Sequence, residues 1–129
     1  MKEQLNRVMV PVLLGSSAKA MQIARALYLR YDVVSHLYCA RPVILPYLLS
    51  YVRVVRVPSY MQGELLCRDL VSFASEYPDL LFCLIPCTVQ DKAFCMAHAA
   101  ELEPYYIISE PEQLSRGTLS YLTKEELPT

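Results

Sequence analysis

The strongest constraint on this chain is a hydrophobic period that switches repeatedly between two values. Val8-Met9-Val10-Pro11-Val12-Leu13-Leu14 is an unbroken apolar run, the signature of a strand buried on both faces of a parallel sheet. Gly15-Ser16-Ser17 ends it abruptly. From Ala18 to Tyr31 the spacing becomes helical, with Ala20, Ile23, Ala24, Leu27 and Tyr31 on one face and Lys19, Gln22, Arg25 and Arg30 pointing elsewhere. Strand, tight turn and amphipathic helix open a βαβ unit. Pro11 has no N–H to give to a ladder, so irregular pairing is expected around it.

The alternation then repeats. Val33 to Cys39 reads as a second strand, and Val52 to Val57 as a short, edge-like third. Between them Pro42 and Pro46 break any long helix in the stretch from Arg41 to Tyr51. Helical spacing returns from Gln62 to Tyr77, with Leu66, Leu70, Phe73 and Tyr77 on one stripe, and Pro78-Asp79 stops it. Leu80 to Ile85 is the most apolar strand. Thr88, followed by Asp91 three residues on, has the form of a helix N-cap. That helix is expected to run to about Leu102 and to bury Ala93, Ala97 and Ala100. Tyr105 to Ile108 makes a fifth strand.

The expected fold is therefore α/β: a three-layer, open, mostly parallel sheet of about five strands in the order 3-2-1-4-5, with helices on both faces. Residues 1–112 form the domain. Residues 113–129, with a second capping pattern at Thr123-Lys124-Glu125-Glu126 cut short by Pro128, are a tail or the start of a linker.

Composition closes off several function classes. In 129 residues, 54% are apolar and 19% charged, with mean hydropathy +0.26, which supplies a core and excludes intrinsic disorder. A net charge of −1, without a basic stripe, speaks against nucleic acid. The 10 tyrosines do not interleave with basic residues as a single-strand platform would require. No apolar run nears the roughly 20 residues that span a bilayer. The greasiest stretch, Val43 to Val52, holds Pro46 and Ser50, and the N-terminus lacks a secretory apolar region. A cytoplasmic protein without membrane contact is expected. Cys39, Cys67, Cys83, Cys87 and Cys95 form an odd set without a CxxC pair, and read as small buried hydrophobes in a reducing compartment. Their spacing, supplemented by His36 and His98 alone, suits a tetrahedral zinc site poorly, so no metal is expected.

In open α/β sheets ligands bind beyond the carboxyl ends of strands, where helix N-termini present free N–H groups. Gly15-Ser16-Ser17 and Pro86-Cys87-Thr88 are the two turns of that kind. With the first and fourth strands adjacent, both face one crevice. An anionic or polar ligand there would meet amides and hydroxyls of Ser16, Ser17 and Thr88, although helix capping explains the same residues. Gly15 stands without GxGxxG or GxxxxGK[ST] companions, which disfavours a tightly held dinucleotide. His36 and His98 read as structural or surface residues. Cys87, beside a helix N-terminus, has the position of a nucleophile, but no histidine pairs with it and a small turn residue is the simpler account.

The residues also carry a resemblance. Val10 to Ser17 followed by Ala20-Met21-Gln22-Ile23-Ala24-Arg25-Ala26-Leu27 resembles the opening of ATP-grasp carboxylate–amine ligases. Leu49-Ser50-Tyr51-Val52-Arg53 leading into Val55-Arg56-Val57-Pro58 is similar to the segment before their third strand. Leu84-Ile85-Pro86-Cys87-Thr88 is similar to their fourth strand and turn, and Leu102 to Ile107 to the segment after the next helix. The match covers residues 7–112 and only the N-terminal pre-ATP-grasp domain. That is the Rossmann-like module also found in biotin carboxylase and carbamoyl-phosphate synthetase large chains.

The resemblance implies a domain that walls the substrate side of a cleft and does no catalysis alone. Gly15, Ser16, Ser17, Cys87 and Thr88 are its substrate-binding positions, for a small carboxylate or amine. The parent enzyme would use ATP and Mg²⁺ on a following ATP-grasp domain in cis, and this chain would hold no cofactor. The competing reading is a stand-alone Rossmann-like ligand-binding or regulatory module. A nucleotide-dependent oxidoreductase is disfavoured by the missing glycine fingerprint. A reading frame running on for about two hundred residues past Thr129 would favour the ligase.

Overall fold

The computed structural model describes residues 9–15, 18–40, 51–57, 60 and 62–110. Nine elements follow in order: β1 (Met9–Leu14), α1 (Ala18–Tyr31), β2 (Ser35–Cys39), β3 (Val52–Arg56), α2 (Gly63–Ser75), β4 (Leu81–Pro86), α3 (Val89–Ala97), α4 (Ala99–Leu102) and β5 (Tyr106–Ile108). The five strands form one sheet in the order β3-β2-β1-β4-β5, and every pairing is parallel. This is the open, Rossmann-like α/β architecture that the period changes predict. The expected tail at 113–129, most of the stretch from Arg41 to Tyr51, and Ser16 and Ser17 lie outside the described residues.

Side-chain alternation along the central strands splits the core into two layers. Leu13 of β1, Leu37 of β2 and Cys83 and Ile85 of β4 meet Ala20, Ala24, Leu27 and Tyr31 of α1 on one face. Val12, Leu14, Tyr38, Phe82 and Leu84 point the other way, onto Leu66, Leu70 and Ala74 of α2 and Cys95 and Leu102 of α3 and α4. Strands buried on both sides need apolar residues at consecutive positions, which is why β1 and β4 read as unbroken runs. Phe73 of α2 ties the second layer together, with edge contacts to Phe82, Tyr77 and His36 at 5.2–5.8 Å between ring centroids. The buried Tyr106 hydroxyl donates to the Leu70 carbonyl at 2.6 Å, so β5 enters the core without an orphaned polar group.

Pro11 disturbs the ladder as expected, on one side only. β1 pairs with β4 over all six residues, from Met9↔Leu81 to Leu14↔Pro86, but with β2 only from Val12↔His36 onward. The Gly15 N–H donates to Tyr38 O at 2.9 Å, so the residues in phase with Gly15, among them Pro11, turn their backbone toward β2. The missing N–H therefore falls on the β2 side.

One expectation is overturned. The helix after Thr88 does not run unbroken to Leu102; it ends at Ala97 and restarts at Ala99, with His98 at φ −114° and ψ 20° between the two pieces. The buried stripe nevertheless runs on in one helical phase, at spacings of four and seven residues. Asp91, Cys95 and Leu102 are buried, while Ala93, Ala97 and Ala100 face outward. Alanine has too little apolar surface to choose a face against a cysteine and a leucine.

Candidate functional site

Parallel register sets the site. Leu14 and Pro86 are partners at the carboxyl ends of β1 and β4, so the turns after them lie on the same edge of the sheet. α1 leaves β1 toward one face and α3 leaves β4 toward the other, which opens a crevice between them. The Cys87 N–H donates to Leu14 O at 3.3 Å and links the two turns directly.

Gly15 has φ +104°, a backbone conformation L side chains rarely adopt. A Cβ on it would stand 3.2 Å from Asp91 Oδ2 and 3.9 Å from Thr88 Cγ2. Glycine thus lets the first turn close down on the N-terminus of α3. Thr88 is the N-cap of that helix, with φ −126° and ψ 167°, and its Oγ1 accepts from the Asp91 N–H at 3.0 Å. The hydroxyl proton goes to Asp91 Oδ2 at 2.6 Å. The other carboxylate oxygen, Oδ1, accepts from the Tyr60 hydroxyl, also at 2.6 Å.

Asp91 is 6% exposed, and a carboxylate so far from water needs its oxygens satisfied. Two hydroxyl donors and the N-terminal end of α3, with its partial positive charge, supply that. Burial and the hydrogen bond to Asp91 push the Tyr60 phenol far above its ordinary range, so Tyr60 is a donor throughout. The Thr88 hydroxyl is engaged both as donor and as acceptor.

Above this network lies a cavity of about 660 Å³, walled by Cys39 at the end of β2 and Ala40 just past it, Gly63 and Leu66 of α2, and Phe94 of α3. Gly15, Tyr60, Thr88 and Asp91 form its polar floor, and none of the described residues that line it carries a positive charge. A phosphate or a carboxylate would meet a negative charge here and no cation among the described lining residues. A group that donates hydrogen bonds, above all a protonated amine, would meet a buried acceptor.

Of the five positions the sequence singles out, Gly15 and Thr88 are brought together at this crevice. Ser16 and Ser17 lie outside the described residues. Cys87 joins the two turns through its backbone, but its side chain packs into the core layer under α1, where Sγ donates to Ile85 O at 3.5 Å. Burial, reinforced by the Asp91 charge, pushes its thiol up to about 12, against smaller opposing effects of Lys19, the Leu14 backbone contact and Lys92. It has neither the exposure nor the thiolate character of a nucleophile. His36 packs against Phe73, away from the crevice.

Sequence reasoning reads Asp91 as a cap alone and misses Tyr60. The cap pattern Thr88-x-x-Asp91 does signal the carboxylate, but nothing local marks Tyr60, which reaches Asp91 from 31 residues away. No helix among the described residues is long and apolar enough to cross a membrane. No protein-family model matches this chain, and neither a curated protein nor a solved structure matches it.

Proposed function

We propose that this chain is a small-ligand-binding domain that receives an amine in the crevice between Gly15 and Thr88, the substrate-side domain of an ATP-dependent carboxylate–amine ligase. The observation that carries the reading is the Asp91 carboxylate, buried at the floor of an open cavity and held there by Tyr60 and Thr88. Of the two substrates such a reaction joins, the amine fits a site with a fixed acceptor and no cation among its described lining residues. An ammonium group brought against a desolvated carboxylate forms a charge-assisted hydrogen bond, which is stronger and more directional than a neutral one. ATP belongs elsewhere. Triphosphate binding needs clustered donors or cations and carboxylate-held Mg²⁺, and the described lining of this crevice offers a single acid and no cation.

The test is a titration of the full chain followed through its amide resonances. The probes are free amino acids, their decarboxylated amines and their N-acetylated counterparts. Compounds with a free amino group should shift Gly15, Thr88 and Asp91, the N-acetylated ones should not, and Asp91→Asn should abolish the response. Shifts caused equally by the N-acetylated compounds would defeat the amine assignment. A parallel calorimetric titration with Mg-ATP should be silent, and micromolar binding would overturn the substrate-side role.

A further inference from the structure

A second cluster lies behind the crevice wall, where α2 meets the bend between α3 and α4. Cys67 Sγ, from the second turn of α2, donates to Glu101 Oε2 of α4 at 3.3 Å. His98, the residue at the bend, places Nδ1 3.5 Å from the same carboxylate oxygen. The three ligand atoms all lie within 4.8 Å of one another. His98 is clamped from the other side. Phe94 packs on its ring at 4.9 Å between centroids, and a Cβ on Gly63 would sit 3.2 Å from Nε2. Nδ1 is therefore the nitrogen turned toward the cluster. It is buried and makes no hydrogen bond, an orphan of the kind native structures seldom keep without a reason.

We infer that Cys67, His98 and Glu101 form a binding site for a divalent transition-metal ion of the zinc class, held by one thiolate sulfur, one imidazole nitrogen and one carboxylate oxygen. The donor set is the mixture of borderline and soft ligands that such ions take, and that magnesium and calcium do not. The distances fit. With metal–sulfur bonds of about 2.3 Å and metal–nitrogen and metal–oxygen bonds of about 2.0–2.1 Å, tetrahedral geometry sets ligand–ligand edges of roughly 3.3–3.6 Å. The sulfur–oxygen and nitrogen–oxygen edges, at 3.3 and 3.5 Å, are already there. The sulfur–nitrogen edge lies within the same 4.8 Å.

Coordination would also dispose of the orphan, because the Nδ1 lone pair gains the partner it lacks. The thiol must give up its proton: the S–H bond breaks, the sulfur–metal bond forms, and the proton leaves to solvent past the exposed Glu101. Because the ligand is the thiolate, metal affinity rises with pH as protons compete less. Three protein ligands leave the fourth position for water on the Glu101 side. The ion would fasten α2 to the α3–α4 bend, and with them the Gly63 and Phe94 wall of the crevice.

The experiment uses the full chain, stripped with chelator and titrated with Co²⁺. Expected are saturation at a single equivalent, a near-ultraviolet thiolate-to-cobalt charge-transfer band, visible bands of tetrahedral intensity, and displacement of the ion by Zn²⁺. Cys67→Ser should remove the charge-transfer band. Glu101→Gln alters an exposed side chain, leaves the fold intact by circular dichroism, and should weaken Co²⁺ binding at least about 10-fold. A charge-transfer band that persists in Cys67→Ser would assign the metal to other cysteines and overturn the site. So would unchanged affinity in Glu101→Gln, or no band in the folded native chain. Should Cys67→Ser fail to fold, the Glu101→Gln affinity decides alone.

Discussion

Replacing Gly15 tests the geometry on which the crevice depends. At φ +104° any L residue carries a backbone penalty of about 1–2 kcal/mol. Gly15→Ala adds a methyl 3.2 Å from Asp91 Oδ2, closer than an ordinary van der Waals contact. The carboxylate cannot simply withdraw, because the Tyr60 and Thr88 hydroxyls hold it at 2.6 Å. A further ~1 kcal/mol of strain is expected there, giving about 2–3 kcal/mol in all; Gly15→Val, with a branch at Cβ, should exceed that. In a chain of this size each kcal/mol lowers Tm by about 3–5 °C, so Gly15→Ala should melt roughly 6–15 °C early.

A double-mutant cycle separates the two contributions, measured by urea unfolding of Gly15→Ala, Asp91→Ala and the pair. The contact portion should vanish in the Asp91→Ala background, while the backbone portion survives. An unchanged Tm in both Gly15→Ala and Gly15→Val would refute the reasoning, because it would mean that the turn needs no glycine. A cycle with no coupling would retain the backbone argument and remove the claim that the turn rests on the carboxylate.

Other consequences are open to direct measurement. Tyr60→Phe removes the donor to Asp91 Oδ1 and should cost about 1.5–3 kcal/mol in urea unfolding, the range for a hydrogen bond to a charged group; a loss below about 0.5 kcal/mol would mean that water replaces the phenol freely. Burial, with the Arg53 charge adding to it, holds the His36 imidazole below its ordinary 6.5, so folding disfavours the protonated form. The stability tied to His36 is therefore fully present above pH about 6.5 and is lost as pH falls through the lower, folded value. His36→Phe, which keeps a ring against Phe73, should flatten that acid limb, and an identical acid dependence in the variant would discount the histidine. All five cysteines are buried free thiols. Iodoacetamide at pH 8 should label the native chain slowly and the urea-unfolded chain completely, whereas rapid native labelling of Cys87 would revive it as a nucleophile.

The strand order and the crevice position follow from patterns that act along the chain. A doubly buried strand must be apolar at consecutive positions, as Val12-Leu13-Leu14 and Phe82-Cys83-Leu84-Ile85 are, and a helix must repeat near every third or fourth residue, as Ala20, Ala24, Leu27 and Tyr31 do. The Thr88 cap is equally local, since its hydroxyl bonds a backbone three residues ahead. What escapes such reading depends on chain folded back from a distance. Tyr60 reaches Asp91 only because the turn after β3 lies beside the end of β4. Cys67 meets His98 and Glu101 only because α2 packs on α4, and a search for ligand spacing among neighbouring cysteines passes over them. The break at His98 is an intermediate case. Nothing near it resembles proline or glycine, so a single helix reads straight through; the misplaced alanines are a separate matter, since Ala93 and Ala97 already face outward before the break.

The full-length pairing of β1 with β4 sets a timetable for folding during synthesis. β2 follows β1 closely in sequence, but Met9 finds Leu81 only about 72 positions later. At roughly 5–20 residues per second, the ribosome needs about 4–14 s to supply that partner. Until then β1, apolar at every position, has at most one paired edge and leaves the other open, a template for any extended segment nearby. The last pair of that edge, Leu14↔Pro86, also brings the two turns of the crevice side by side. The docking of β4 thus covers the open edge in the same step that aligns the two turns.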